Sequence, residues 1–361
     1  MNSKPIVAVA MSGGVDSSVA AALLVDGGYS VIGMMLRLWS EQDSERSNRC
    51  CTPDSIASAR RIASILSIPF YVLDARQLFY DSVVQPFISD YLHNRTPNPC
   101  IACNRLVRWG FLFNFARSAG ADFLATGHYA RLNHLPDQPK QLLRGLDLSK
   151  DQSYVLHVLT QEKLAHAMFP VGEYHKTEVR RLAQRFNLPV ADRPDSQDLG
   201  FIGGDGDYRQ FLSRHAPEVN NPGNIFNPLG HQLGRHQGLA FYTIGQRKGL
   251  HLSSASPLYV LEKNLESNTL IVGNREESLQ DQFLAEQVNW IAGMPPSSTF
   301  RAQIKIRYKA HDMPGSVGVI PGDRIKLKLD QPVNDLTPGQ AAVLYNGDIC
   351  LGGGIISNTL E

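Results

Sequence analysis

Two short segments carry residue types whose spacing can do chemistry. The first is Ser12-Gly13-Gly14-Val15-Asp16-Ser17-Ser18, set between an apolar run at 6–11 and a helix-like stretch at 19–25. Paired glycines let backbone approach a phosphate, and the N–H groups and dipole of a helix start attract it. Ser12, Ser17 and Ser18 add hydroxyl donors. Neither Gly-x-x-x-x-Gly-Lys-Ser/Thr nor Gly-x-Gly-x-x-Gly is present, so the lysine that grips phosphates in a Walker loop is missing. An ordinary serine-capped turn is the bland alternative. The second segment is Thr96-Pro-Asn-Pro-Cys-Ile-Ala-Cys-Asn104, followed by a helix-like stretch at 105–116. Cys103 is therefore expected just before or at a helix N-terminus, where the dipole favours thiolate, with Arg105 and Arg108 close in sequence. Such a thiolate can attack sulfur, carry a persulfide or bind a metal; a buried or structural-metal pair is the alternative.

The elements around these segments alternate over the first ~200 residues, as in an α/β domain. Strand-like runs at 5–11, 30–36, 69–74 and 122–127 are separated by helical stretches, among them 54–66 and 176–187. Short apolar strands between helices predict a buried parallel sheet. After about residue 205 the texture changes. Residues 220–228 are rich in Pro, Gly and Asn, and short strand-like runs follow at 258–261, 269–272, 303–308, 324–329 and 341–345. Pro295–Ser298 separates strands or marks a hinge. The expected division is a doubly wound parallel-sheet catalytic domain over 1–210, a small β-rich central domain over 211–282 and a C-terminal β-barrel-like domain over 283–361.

Composition narrows the class. The 361 residues include 35 Lys+Arg against 34 Asp+Glu, a net charge of +1, which excludes nucleic-acid binding by bulk charge but allows a local basic face. Arg301-Ala-Gln-Ile-Lys-Ile-Arg-Tyr-Lys309 predicts such a face, with Arg301, Gln303, Lys305, Arg307 and Lys309 on one side of a strand. Lys326 and Lys328 are expected to extend it, and Gln246-Arg247-Lys248 forms a second basic patch. There is no run of ~18 apolar residues and therefore no expected membrane span. Met1–Pro5 leads straight into a strand, with no signal or transit segment expected. Five cysteines in this length do not make a disulfide scaffold; they point to the cytoplasm. Cys350 reads as a packing residue, and a buried structural role is one of the alternatives open to Cys50 and Cys51.

The first segment resembles the SGGxDS signature of the PP-loop ATP pyrophosphatases, an adenine-nucleotide-hydrolase-like fold. That resemblance gives Asp16 a part in holding Mg2+. With TPNPCIACN, Ala125-Thr-Gly-His-Tyr-Ala130, Leu146-Asp-Leu-Ser-Lys-Asp-Gln-Ser-Tyr154, Pro194-Asp-Ser-Gln197, Thr243-Ile-Gly-Gln-Arg-Lys-Gly249 and Leu351-Gly-Gly-Gly-Ile355, the whole chain resembles the tRNA-specific 2-thiouridylases, the MnmA family. The resemblance implies ATP-dependent adenylation of O2 of a tRNA wobble uridine, then sulfur delivery to C2 from a cysteine persulfide. It implies an ATP site at Ala10, Met11, Ser12, Gly13, Gly14, Val15, Asp16, Ser17, Leu36 and Gly127. It implies Asn98, Pro99 and Cys100 beside the target base, and Cys103 as nucleophile. It implies tRNA contacts at His128, Lys150, Asp151, Gln152, Arg307, Tyr308 and Gln340, and a sulfur-donor partner such as a cysteine desulfurase or relay protein. The family's second catalytic cysteine is absent: Gly200 stands there. Three readings follow. Cys100 partners Cys103; or Cys100 and Cys103 with Cys50 or Cys51 ligate an iron–sulfur cluster; or the chain is a weakened or non-catalytic tRNA-binding relative.

Overall fold

A computed structural model describes residues 4–41, 53–194, 199–203 and 207–357. Cys50, Cys51 and Asp195–Gln197 lie outside the described residues. Strands β1 (Ile6–Ala10), β2 (Ser30–Arg37), β3 (Phe70–Asp74) and β4 (Phe123–Thr126) are followed by a hairpin, β5 (Ala130–Asn133) and β6 (Gln141–Arg144), and by the short β7 (Ala167–Met168). Five of these form one parallel sheet in the order β3-β2-β1-β4-β7. Val7, Ala8, Val9, Leu124 and Ala125 are wholly buried, as strands covered on both faces must be. Helix α1 (Val15–Asp26) buries Val19, Ala20, Ala21 and Ala22, in one cluster with Val179 and Ala183 of the helix Lys176–Arg185. Helix α2 (Pro53–Ile65) turns Ala59, Ile62 and Ala63 inward. The strand order reverses between β1 and β4, and open α/β sheets bind ligands beyond the carboxyl ends of strands at such a point.

The central sheet has β8 (Gly223–Phe226), β9 (Gln232–His236), β10 (Tyr259–Asn264) and β11 (Thr269–Gly273), in the order β10-β11-β8-β9. Its buried Ile225, Val260, Leu270 and Val272 share one cluster with Phe79, Phe87, Tyr91 and Val107 of the first domain. The two units are thus joined by common core.

The last six strands are β12 (Gln280–Trp290), β13 (Thr299–Lys305), β14 (Met313–Ile320), β15 (Arg324–Val333), β16 (Ala341–Asn346) and β17 (Ile349–Ile356). They close as β12-β15-β14-β13-β16-β17, with β17 back on β12, around Ile304, Val317, Ile325, Leu327 and Leu344. Closure leaves no free edge among the six. Strand β17 also pairs with β6, so the hairpin of the first domain continues the barrel sheet. Pro295–Ser298 lies in the connection between β12 and β13.

The predicted basic strand needs correction. It ends at Lys305, and Arg307, Tyr308 and Lys309 lie in the turn beyond. Arg307 leaves the barrel face because its guanidinium turns toward the Thr337 hydroxyl, the Ile244 carbonyl at 3.4 Å and Asp335 at 3.3 Å. Arg301 is ion-paired with Asp330, so the face is not uniformly basic. Lys328 stands across Ser316 from Arg301, and Lys326 and Lys328 are exposed. Cys350 is wholly enclosed, and burial pushes its thiol up to about 12.

Candidate active site

The Ser12–Ser18 loop, the expected phosphate loop, follows β1 and opens α1. Gly14 is the N-cap in extended conformation, and the Ser18 hydroxyl donates to its carbonyl at 2.6 Å. The Ser12 N–H donates to Ser17 Oγ at 3.1 Å, and the two hydroxyls lie 3.2 Å apart. Gly13 has φ +73°, and a Cβ there would sit 2.5 Å from the Ser55 carbonyl oxygen of α2. A Cβ on Gly127, just after β4, would sit 2.6 Å from the Ser17 nitrogen. Both glycines exist because backbone meets backbone there. Ala10, Ser12, Gly14, Asp16 and Gly127 thus gather beyond the carboxyl ends of β1 and β4. Met11 and Val15 are buried, and Leu36 on β2 packs on the cluster that also holds Cys103.

Asp16, in the first turn of α1, receives two donors on the same oxygen. The Tyr129 hydroxyl donates to Oδ1 at 2.8 Å and Lys176 Nζ at 2.6 Å. Among the described residues Oδ2 accepts no hydrogen bond, and the side chain keeps 31% of its exposure. Arg193 donates to the Gly13 carbonyl at 2.8 Å. Sequence reasoning missed Lys176, Tyr129 and Arg193. Tyr129 lies inside a quoted motif, but nothing near Lys176 or Arg193 in sequence points to a loop more than 150 residues away.

The cysteine helix begins earlier than predicted. Asn98 is its N-cap, with Oδ1 accepting from the N–H groups of Cys100 at 3.1 Å and Ile101 at 3.4 Å, and Pro99 opens the first turn. Cys100 therefore sits in that first turn and is exposed. Cys103 comes one turn later, half-buried, with its N–H already bonded to Pro99 and Cys100 carbonyls. From Cys103 to Leu112 the helix widens into π-type turns, then continues as Phe113–Ser118. Cys103 packs on the same cluster as Phe201 and Ile202, the residues following Gly200.

A hydrogen-bonded chain links this helix to the phosphate loop's neighbouring strand. Asn104 Nδ2 donates to the Cys100 carbonyl at 3.0 Å, and Arg108 donates to Asn104 Oδ1 at 2.9 Å. Arg108 also lies 3.2 Å from His128 Nε2. A guanidinium only donates, so Nε2 accepts, and the Nδ1–H donates to Thr126 Oγ1 at 2.8 Å. Burial, helped by the Arg108 charge, holds His128 well below the usual imidazole range, so the ring is neutral.

The remaining predicted tRNA residues divide. Lys150 is half-buried on the surface turn. Asp151 is buried, its carboxylate accepting from the N–H groups of Gly145 and Ser153, with Arg144 at 3.6 Å. Gln152 accepts from the Tyr129 N–H at 3.1 Å. Tyr308 stands near Cys100; its hydroxyl is pushed up to about 12, mainly by burial, with Asp151 and Cys100 adding. Arg307 is held at the junction of Ile244, Thr337 and Asp335, and Gln340 donates to backbone of the cysteine segment.

Family models match three consecutive stretches: the tRNA methyl transferase HUP domain over 5–204, the tRNA methyl transferase PRC-barrel domain over 209–274 and the Aminomethyltransferase beta-barrel domain over 280–356. The chain is 44% identical over 356 residues to the tRNA-specific 2-thiouridylase MnmA of Natranaerobius thermophilus, covering 97% of this chain and 96% of that protein. It is 45% identical over 356 residues to the protein of the same name from Moorella thermoacetica, covering 98% and 99%. Among solved structures, a 4-thiouridine synthetase–RNA complex with bound ATP aligns with 59% of this chain and 51% of that one, at 15% identity and a TM-score of 0.37. The chain belongs to the family of tRNA-specific 2-thiouridylases.

Proposed function

We propose that this chain is an ATP-dependent tRNA-uridine 2-sulfurtransferase. The observation that carries this reading is the chain of contacts from Thr126, at the end of β4, through His128, Arg108 and Asn104 to Cys100. It runs from the strand beside the nucleotide-type loop to the backbone of the cysteine helix, the proximity that adenylation followed by sulfur transfer requires. The loop backbone and Ser12 receive ATP phosphates. Asp16 Oδ2 and those phosphates suit Mg2+, which takes few protein carboxylates alongside substrate oxygens. Mg2+ there would neutralise phosphate charge. Lys150 and Tyr308 face the tRNA, and the target uridine leaves its stack to reach the Asn98–Cys103 segment.

O2 of the uridine attacks the α-phosphorus, and pyrophosphate leaves. The terminal sulfur of a Cys103 persulfide attacks C2, the C2–O bond breaks, and AMP leaves with the electron pair. The Cys100 thiolate then attacks Cys103 Sγ, leaving the transferred sulfur on C2 and forming a Cys100–Cys103 disulfide. A thiol reductant resets the pair, and a persulfide-bearing donor protein reloads it. Helix neighbours three apart have Cβ atoms about 5–6 Å apart, and a disulfide needs about 3.5–4.5 Å, so the first turn closes with a small shift. This route uses Cys100 where Gly200 cannot serve. For the iron–sulfur alternative the described residues supply the thiols Cys100 and Cys103, and no group of three or more metal-ligating side chains is found among them.

The test is incubation of tRNA with ATP, Mg2+ and a persulfide donor, followed by nucleoside mass spectrometry. The reading expects 2-thiouridine and AMP. Gly200 favours a second reading, a tRNA-binding relative without chemistry; tRNA binding with neither product would select it.

A further inference from the structure

The barrel reaches into the cysteine segment. Thr96 and Pro97, which precede the Asn98 cap, are held through their backbone by the loop between β15 and β16. The Thr96 N–H donates to the Pro338 carbonyl at 2.8 Å. Gln340 Nε2 donates to the Thr96 carbonyl at 2.8 Å and lies 3.3 Å from the Pro97 carbonyl. Gly339 fills the space between: its φ is +90°, and a Cβ there would lie 2.9 Å from both the nitrogen and the oxygen of Thr96.

The loop is itself fixed. Thr337 is buried, accepts from Arg307 and donates to the Asp335 carbonyl at 3.0 Å. The Gly339 N–H donates to the Ile356 carbonyl at 2.9 Å, and the Ile356 N–H returns to Gln340 at 2.7 Å. A rigid barrel loop therefore grips two residues that a single cap residue separates from the cysteine helix. Pro97 and Pro99 have fixed φ, so the segment transmits a displacement rather than absorbing it.

We propose that Gln340 is a positioning residue for sulfur transfer: through Thr96 and Pro97 it sets where the Asn98-capped helix begins and so where Cys100 and Cys103 stand. The proposal rests on the sulfur-transfer reading above. It is distinct from the tRNA contact that the family resemblance implies: the amide nitrogen is committed to two backbone carbonyls, while Oε1 accepts no hydrogen bond among the described residues. Removing the donor leaves those acceptors unsatisfied, and a misplacement of about 1 Å at a reacting group can cost ~100-fold in rate.

The experiment uses the full chain with Gln340→Ala and, separately, Gly339→Ala, which displaces Thr96 by collision. Four quantities are compared with the unsubstituted protein: tRNA affinity, tRNA-dependent pyrophosphate release, single-turnover 2-thiouridine formation, and alkylation of Cys100 by iodoacetamide without tRNA. For both variants, 2-thiouridine formation is expected to fall about 10–100-fold. For Gly339→Ala, affinity and pyrophosphate release stay within about twofold, and in both variants the alkylation rate shifts at least about threefold. A loss of tRNA affinity in step with thiolation would overturn the proposal in favour of direct contact. Unchanged thiolation and alkylation would overturn it too. If the unsubstituted protein makes no 2-thiouridine, the functional reading fails, while the alkylation comparison still decides the positioning claim.

Discussion

Lys176 and Asp16 are separated by 160 residues, yet Lys176 Nζ lies 2.6 Å from Asp16 Oδ1 beside the phosphate loop. The lysine is buried to 9% exposure and opens its own helix, so it is held at the loop rather than reaching there by chance. It brings to the loop a cation that the loop's own sequence lacks. Replacing Lys176 by Met removes a charged hydrogen bond worth about 1.5–3 kcal/mol, so pyrophosphate release is expected to slow ~10–100-fold. Tyr129→Phe removes one neutral donor and costs about 1 kcal/mol, or roughly fivefold. Steady-state pyrophosphate assays with saturating tRNA check both; equal rates in the Lys176 variant would remove it from the site.

Glycine is required at positions 13 and 127 for different reasons. Gly13→Ala meets both a left-handed φ of +73° and the Ser55 carbonyl, whereas Gly127→Ala meets the first turn of α1. Each alanine is expected to cost about 1–3 kcal/mol of stability and to weaken ATP binding at least about tenfold. Calorimetric ATP titration, with thermal melting as control, measures the two effects separately.

Lys150 and Asp151 are neighbours with opposite fates. Asp151 is closed in with Arg144, which also pairs with Asp312 at 2.6 Å and lies over the Tyr345 ring at 3.6 Å. Asp151→Asn leaves Arg144 short of a buried counter-charge and is expected to destabilise the fold by about 3–5 kcal/mol. Lys150→Ala is expected to lower the melting temperature far less than Asp151→Asn and to weaken tRNA binding by about 1 kcal/mol or less, with a shallower salt dependence. Filter binding across a salt series, with melting curves, distinguishes them.

Three buried histidines, His128, His157 and His236, each lowered by burial, give the fold a pH dependence. Burial lowers His157 to about 4 from a reference of 6.5, and His128 is likewise well below it. The unfolded chain therefore takes up protons below pH 6.5 that the folded chain refuses, so stability falls as pH drops from 6.5 toward 4. His157 alone contributes about 3 kcal/mol across that window. Melting temperatures between pH 7 and 4.5 should fall, and His157→Asn should flatten the slope even if its melting point at pH 7 is lower. An unchanged slope would mean that the ring is not the titrating group.

What the sequence made legible was local. The phosphate loop, the apolar strands flanking it and the cysteine pair could be read because each lies within a short stretch of period, turn and motif. The start of the cysteine helix was also readable, since Asn98-Pro99 is a cap followed by a first-turn proline. The helical pattern from Arg105 onward drew the boundary too late. Lys176, Arg193 and the pairing of β6 with β17 were not legible, because each depends on contacts between distant segments. Strict alternation through Lys309 suggested a continued strand, but Arg307 finds partners at the three-way junction and ends it.

The central claim, that Cys103 delivers sulfur and Cys100 releases it, is tested most directly by one turnover. Protein loaded with labelled persulfide sulfur is mixed with tRNA and ATP in the absence of reductant, and peptides and nucleosides are mapped together. The account predicts label in 2-thiouridine, one Cys100–Cys103 disulfide per thiouridine formed, and neither product with Cys103→Ser. Labelled 2-thiouridine from Cys103→Ser, or its formation with both thiols still reduced, would contradict it.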